Sequence, residues 1–396
     1  MIVRRCAMVF VELDQEPRFD FGTLLAGGDG LDRRARWLAY APHLHEPLEV
    51  TLAQLAVLEA VPRDDGVALD ALRQRFEPSV VDPLVEAGLL VTGHNLDARA
   101  SACDAAARRV PWWPPALLAQ ASGGWDGIDI EARHEAGLMP TAAQLVDTNG
   151  PAPAQECLRR PDAAPCALAT PRRHDFDRLL AQRRTCRNFD PAAALSAAEL
   201  GTMLHRVWGA VGTRELAPGA VAVKKTSPAG GGLHATEAYL LVQRAEGLAP
   251  GLYHYLPMQH ALEPLQVLDA ADAAAMVHRF LAGQYWFADV PVLVVMTARF
   301  DRLFWKYRRH AKAWRVVHLD VGHLSQTMYL SAADLGLGAF VTAAINDREI
   351  EPALGLAPLQ EAAIAIVGFG ARSHAPTHIE LDGLTPTPAA LAADGA

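Results

Sequence analysis

Arg183-Arg184-Thr185-Cys186-Arg187-Asn188-Phe189 sets three guanidinium groups and a hydroxyl side by side, at the end of one helical stretch (Asp175–Arg183) and before another (Ser196–Val207). Arginine forks bind a dianionic phosphate through charge-assisted, often bidentate bonds. A solvated charged face has the same composition. The phosphate reading gains from Lys224-Lys225-Thr226-Ser227-Pro228-Ala229-Gly230-Gly231-Gly232-Leu233-His234-Ala235-Thr236-Glu237, where three consecutive glycines permit close backbone approach to a flat ligand. Taken alone, those glycines are equally a flexible loop.

Outward from this stretch, residues 174–373 alternate helices with a few strands. Ser196 with Glu199 three residues on is a helix-opening capping pair. Ala238–Gln243 and Leu252–Leu256 are strand-like, and Val290–Ala298 is a β-branched apolar run suited to a buried strand. Trp314–Leu335 is the strongest helix, with Val317, Val321, Leu324, Met328 and Ala332 on one face, and Ala363–Val367 gives a last buried strand. One compact α+β domain is the fold class this pattern predicts, over 173–373.

Residues 1–100 predict a small winged-helix-like module: helices at Leu48–Ala60, Asp70–Phe76 and Val80–Ala87, then a short strand in Gly88–Gly93. Asp64-Asp65 and the lack of lysine on the third helix disfavour DNA as its ligand. Residues 101–172 predict an irregular Pro/Ala-rich connector. Its Trp112-Trp113-Pro114-Pro115 either lines a substrate groove or packs the connector onto a domain. Residues 374–396 predict a tail or a dimerisation arm.

The chain has 396 residues, 51% of them hydrophobic and 20% charged, so a packed interior is easily supplied. A net charge of −9 argues against a general nucleic-acid binder. Leu335–Ile345 and Val290–Ala298 are too short to cross a bilayer, and Glu12 and Asp14 interrupt any signal-peptide core at the N-terminus. Five cysteines without a C-x-x-C pair fit reduced thiols. The expected protein is soluble and cytoplasmic, with no nucleic-acid or membrane partner. P-loop, G-x-G-x-x-G, H-E-x-x-H and G-x-S-x-G signatures are missing, which weakens nucleotide-binding, metalloenzyme and hydrolase readings, and no metal is expected.

In order along the chain, the arginine motif, the Pro228–Val242 segment, Gly251-Leu-Tyr-His-Tyr255, Gly322-His323 through Gly338, Phe340–Ile345 and Gly368-Phe-Gly370 resemble the nitroreductase-like flavoprotein superfamily. More closely, they resemble the SagB-type dehydrogenases of modified-peptide biosynthesis. The likeness covers about the last 200 residues. It implies FMN and a homodimer with flavins at the subunit interface. By position it implies that Arg183, Arg184, Thr185 and Arg187 hold the FMN phosphate and neighbouring groups, with Arg372 arriving from the C-terminal turn. Ser227, Pro228, Ala229 and Gly230 are implied to approach the flavin from the partner subunit. Gln284 is implied at the pyrimidine edge, and the backbone of Ala343 and Ala344 toward flavin N5. Ala229 departs from the family's serine and Ala235 from its second proline, so one hydroxyl contact is missing.

Azoline oxidases of this group carry a Lys-Tyr pair ahead of the long helix, matched by Lys306-Tyr307. The resemblance implies Lys306 as the base that takes a carbon-bound proton and Tyr307 as its positioning partner. A lysine among arginines on an exposed helix is also ordinary surface. The expected activity is oxidation of thiazoline or oxazoline rings in a ribosomally made precursor peptide, with O2 as re-oxidant and a cyclodehydratase or other maturation enzyme as a partner. Two alternatives stay open: an NAD(P)H-dependent reductase of dehydroamino acids or nitro compounds, and a non-catalytic scaffold.

Overall fold

The computed structural model describes residues 1–33, 35–157, 159–160, 162–169 and 174–380. The end of the expected connector and the expected tail beyond residue 380 lie outside the described residues. Contacts divide the chain into two units. One comprises Met1–Gly124, Ala298–His318 and Glu351–Ala362; the other comprises Trp125–Thr297, Leu319–Ile350 and Ala363–Ala396.

The second unit is built on a six-stranded sheet, in the order Ala261–Val267, Gly251–Leu256, Thr236–Val242, Val292–Arg299, Glu361–Gly370, Gly338–Thr342. The first three strands pair antiparallel, as do the last two. Alternate strand residues, among them Leu240, Val242, Val292, Val294, Met296, Val367 and Phe369, form one buried cluster with Met203, Leu204 and Val207 of the helix Ala197–Trp208 and with Leu324 and Met328 of the helix Ala313–Asp334. The intervening residues Leu241, Leu293, Val295 and Ile366 are buried too, so both faces of the sheet are covered. This is the α+β architecture expected from the sequence. Ser196 accepts the Glu199 N–H, and Glu199 reaches back to the Ser196 N–H, which closes the predicted capping box.

In the first unit, Ile2–Arg5 pairs antiparallel with Val67–Ala68 and with Leu90–Val91. Helices Leu52–Ala60, Leu69–Arg75 and Pro78–Glu86 pack over it, burying Val3, Val57, Leu69, Leu72, Val81 and Leu84. The first helix is shorter than expected. Leu48–Val50 is a strand against Arg36–Tyr40, and Thr51 begins the helix by accepting the Gln54 N–H.

The first part of the stretch expected to be irregular, up to Asn149, is instead largely helical, with helices at Ala98–Arg109, Pro114–Ser122, Ile130–Glu135 and Ala142–Asn149, whereas the described residues from 150 to 169 are irregular. The composition that suggests a linker also suits helix starts: Pro114 and Pro115 occupy the first turn, and Asp97, Asp129 and Thr141 accept backbone N–H groups as caps. Trp112 is packed inside the first unit. Its ring lies 4.3 Å from Phe300 and 4.8 Å from Phe304, and its Nε1 donates to Leu359 O at 3.0 Å. Among the described residues, no helix is long and apolar enough to cross a membrane.

Candidate functional site

The arginine motif lies along the edge strand of the sheet. Thr185 bridges to Ala339 in parallel, Cys186 N donates to Ala339 O at 2.8 Å, and Phe189 bridges to Arg372. Backbone pairing therefore brings residues more than 150 positions apart in sequence side by side. Gly338 makes the approach sterically feasible, because a Cβ there would sit 2.5 Å from Cys186 Sγ and 2.9 Å from Arg372 Cγ.

Arg183, Arg184 and Arg372 share the lining of a small open recess with Gln182, Tyr329 and Gly338. Arg183 stands over the Tyr329 ring at 5.3 Å. The Tyr329 hydroxyl pairs with Thr185 Oγ1 at 3.1 Å and accepts from Val341 N at 3.1 Å, so it ties the motif to the edge strand. The recess gathers three cations in a small concavity, an arrangement suited to a dianion.

Behind it, Glu380 accepts from Arg187 N at 2.8 Å, Asn188 Nδ2 at 3.0 Å and Arg372 Nη2 at 2.6 Å. Burial alone would raise this carboxyl's pKa. The Arg187 N–H, the Asn188 amide and the Arg372 charge outweigh it and hold the group below its ordinary value. Asn188 Oδ1 also accepts from Thr377 N at 2.8 Å and His378 N at 2.7 Å.

The Pro228–Gly230 loop borders a different recess, lined also by Lys225, His234, Thr236 and Asp320. Gly230 N donates to both Asp320 oxygens, at 3.0 and 3.2 Å. Ser227 is buried with its hydroxyl on Thr327 Oγ1 at 2.7 Å, turned toward the long helix. It therefore does not replace the hydroxyl missing at Ala229.

Gln284 and Ala344 are brought together. Gln284 Nε2 donates to Leu281 O at 2.7 Å and Ala344 O at 2.6 Å, while Oε1 accepts from Thr342 Oγ1 at 3.1 Å. Both amide hydrogens are thus engaged within the chain, and a contact from them to a ligand edge requires one of these bonds to open. Ala343 is exposed, and Ala344 N donates to Thr342 Oγ1 at 3.1 Å.

Lys306 and Tyr307 belong to the first unit, whereas the residues above belong to the second. They end the helix Phe300–Tyr307, which buries Phe300, Leu303 and Phe304. Lys306 is exposed, with its Nζ 5.4 Å from the Tyr307 ring centroid.

Sequence reasoning missed Asp320, Tyr329 and Glu380. Asp320 had a visible signal: a carboxylate one helical turn from Leu324, on the apolar stripe of the long helix. Among the described residues, no group of three metal-ligating side chains occurs.

An α+β domain with an arginine-lined recess at its edge strand is the class of protein these features define. Residues 180–371 match the nitroreductase family, and that stretch is a nitroreductase-family domain. The chain is 29% identical over 176 residues to a Methanocaldococcus jannaschii protein named for the nitroreductases, MJ1384, covering 44% of this chain and 82% of that one. It is 28% identical to the trifolitoxin-processing protein TfxB of Rhizobium leguminosarum, over 36% of this chain and 38% of that one. It is 27% identical to the microcin B17-processing protein McbC of Escherichia coli, over 37% of this chain and 54% of that one. The match thus spans well under two thirds of either peptide-processing relative. The family match over residues 180–371 supports an oxidoreductase.

Proposed function

We propose that this protein is an FMN-dependent dehydrogenase of the SagB type. In this reading it oxidises thiazoline or oxazoline rings of a ribosomally made peptide to azoles, in the cytoplasm and as a homodimer, with O2 re-oxidising the flavin. The observation that carries the reading is the convergence of Arg183, Arg184 and Arg372 on one recess beside Gly338, in a nitroreductase-family domain similar to two peptide-processing proteins. The lining suits a flavin phosphate: three arginines border one recess, and the absence of a side chain at Gly338 lets Cys186 and Arg372 approach its rim.

Bound FMN would supply the two-electron acceptor for hydrogen leaving the ring as hydride. In this assignment Arg183, Arg184 and Arg372 hold the phosphate, while Thr185 and Arg187 hold neighbouring groups. Pro228, Ala229 and Gly230 shape the wall around the ring system. Gln284 keeps the Thr342–Ala344 turn in place, so that the backbone there faces the reacting edge. Lys306 is the base that takes the proton from the ring carbon, and Tyr307 orients it. The N-terminal module, about the first 100 residues, docks the precursor peptide or a cyclodehydratase partner.

The test is the visible absorption spectrum of protein purified without added cofactor, then of the supernatant after denaturation. About one released FMN per chain is expected. A colourless protein that also takes up no added FMN would overturn the assignment.

A second reading, an NAD(P)H-dependent reductase, is favoured by one observation: the match to MJ1384 spans 82% of that protein, much more than the matches to the peptide-processing proteins. Anaerobic mixing with NADPH separates the two. Rapid flavin bleaching without peptide supports the reductase, and none is expected for the oxidase.

A further inference from the structure

Asp320 is only 5% exposed, although it is a carboxylate on the buried stripe of the helix Ala313–Asp334. A charge in such a position is costly unless it is satisfied, and an apolar residue would pack there at less cost. Both of its oxygens face the Gly230 N–H, at 3.0 and 3.2 Å. Seven residues along the same helix, Thr327 Oγ1 meets Ser227 Oγ at 2.7 Å. Positions seven apart lie on one helix face, two turns from each other. The segment Ser227–Gly230 is therefore fastened at both ends to a single rigid element, with Pro228 and Ala229 held between the fastenings.

The chain leaves this segment through a run of unusual backbone. Gly231 and Gly232 have φ of 63° and 68°, and His234, which is not a glycine, has φ of 46°. A side-chain-bearing residue in the left-handed region persists only where its surroundings determine it, and such residues gather at functional sites. Lys225 and His234 line the same recess as Asp320, and His323 lies on its own helix. Burial raises the pKa of the carboxyl, while the Gly230 N–H and His323 act in the opposite direction.

We propose that Asp320 is a positioning residue: its ionised carboxylate holds the Gly230 amide and so sets the backbone shape that Pro228 and Ala229 present to the cofactor. The purpose of this device rests on the flavin reading above, whereas the fastening itself does not. The Gly230 N–H lowers the carboxyl's pKa against the effect of burial, so a released loop leaves a buried carboxyl that takes up a proton more readily, and falling pH favours release.

The test uses the full chain, with hydrogen–deuterium exchange read on peptides spanning residues 227–234 and corrected for intrinsic exchange. FMN binding is followed in parallel by quenching of flavin fluorescence. In the unaltered protein, protection of the segment drops as pH falls, with a midpoint above the ordinary carboxylate range. Asp320→Asn, which keeps one acceptor oxygen, abolishes that step. Asp320→Ala speeds exchange of the segment about tenfold at every pH, leaves the Val292–Arg299 strand unchanged, and weakens FMN binding by a similar factor. At neutral pH Asp320→Asn recovers most of that binding.

Unchanged exchange in Asp320→Ala, or a surviving pH step in Asp320→Asn, overturns the proposal. Should Asp320→Ala fail to fold, the pH step in Asp320→Asn decides alone. An unaltered chain that binds no FMN removes the flavin reading, and the exchange result still decides whether Asp320 fastens the loop.

Discussion

Asp347 shows how much one carboxylate can impose on a turn. It opens the helix Asp347–Ala353, and its Oδ2 accepts the Trp125 N–H at 3.1 Å. Burial pushes its pKa up to about 6 from an ordinary 3.8, and the Trp125 N–H offsets only part of that. The folded chain thus holds this proton more tightly than the unfolded chain. Between about pH 4 and pH 6 the folded state binds more protons, so this residue's contribution to stability falls as pH rises through that window. Asp347→Asn keeps an acceptor for Trp125 and removes the titration. Thermal melts at pH 7 should show the variant more stable than the parent by roughly 3 kcal/mol, a gap that closes by about pH 4. A gap that does not change with pH would refute the assignment. Nothing in the local sequence Asn346-Asp-Arg-Glu349 announces this role, because the partner amide lies more than 200 residues earlier. The arginine motif was legible at this scale, since its chemistry sits in consecutive residues.

Trp112 belongs to the scale of the element. The ring packs at a tilt and edge-on against Phe300 and Phe304, on the buried side of the helix Phe300–Tyr307, and the indole N–H is satisfied by Leu359 O. The tryptophan therefore seats the helix that carries Lys306 and Tyr307, which resolves its sequence reading in favour of packing. Trp112→Ala should cost about 3–5 kcal/mol in urea unfolding, the loss expected for a large buried aromatic. Trp112→Phe should cost about 1–2 kcal/mol, mostly from leaving Leu359 O without its donor. Equal stability of parent and Trp112→Ala would contradict this packing. The helices of the 98–149 stretch show where element-level reading fails. Proline in a first turn and alanine in a helix body match linker composition, and only the caps at Asp97, Asp129 and Thr141 separate the two.

Across the whole molecule, the five thiols report burial directly. Cys6, Cys103 and Cys186 are buried, whereas Cys157 and Cys166 are exposed. Burial pushes the Cys6 thiol up to about 12 and the Cys186 thiol up to about 11. Thiolates are the reactive form, so these two thiols are doubly protected. Titration with a disulfide reagent at pH 8 should find two fast thiols in the native protein and five after denaturation. A third fast native thiol would mean that one of the buried sites opens. The sequence alone determined the main strands, the capped helix after Ser196, the α+β class and the arginine motif, because periodicity, caps and charge clusters are local signals. Only the tertiary structure decided that Glu380 braces Arg372 and Asn188, that Asp320 takes the Gly230 amide, and that Trp112 packs under the Phe300–Tyr307 helix. Those contacts join residues far apart in the chain, and backbone pairing and core packing bring them together without leaving a periodic trace in the sequence.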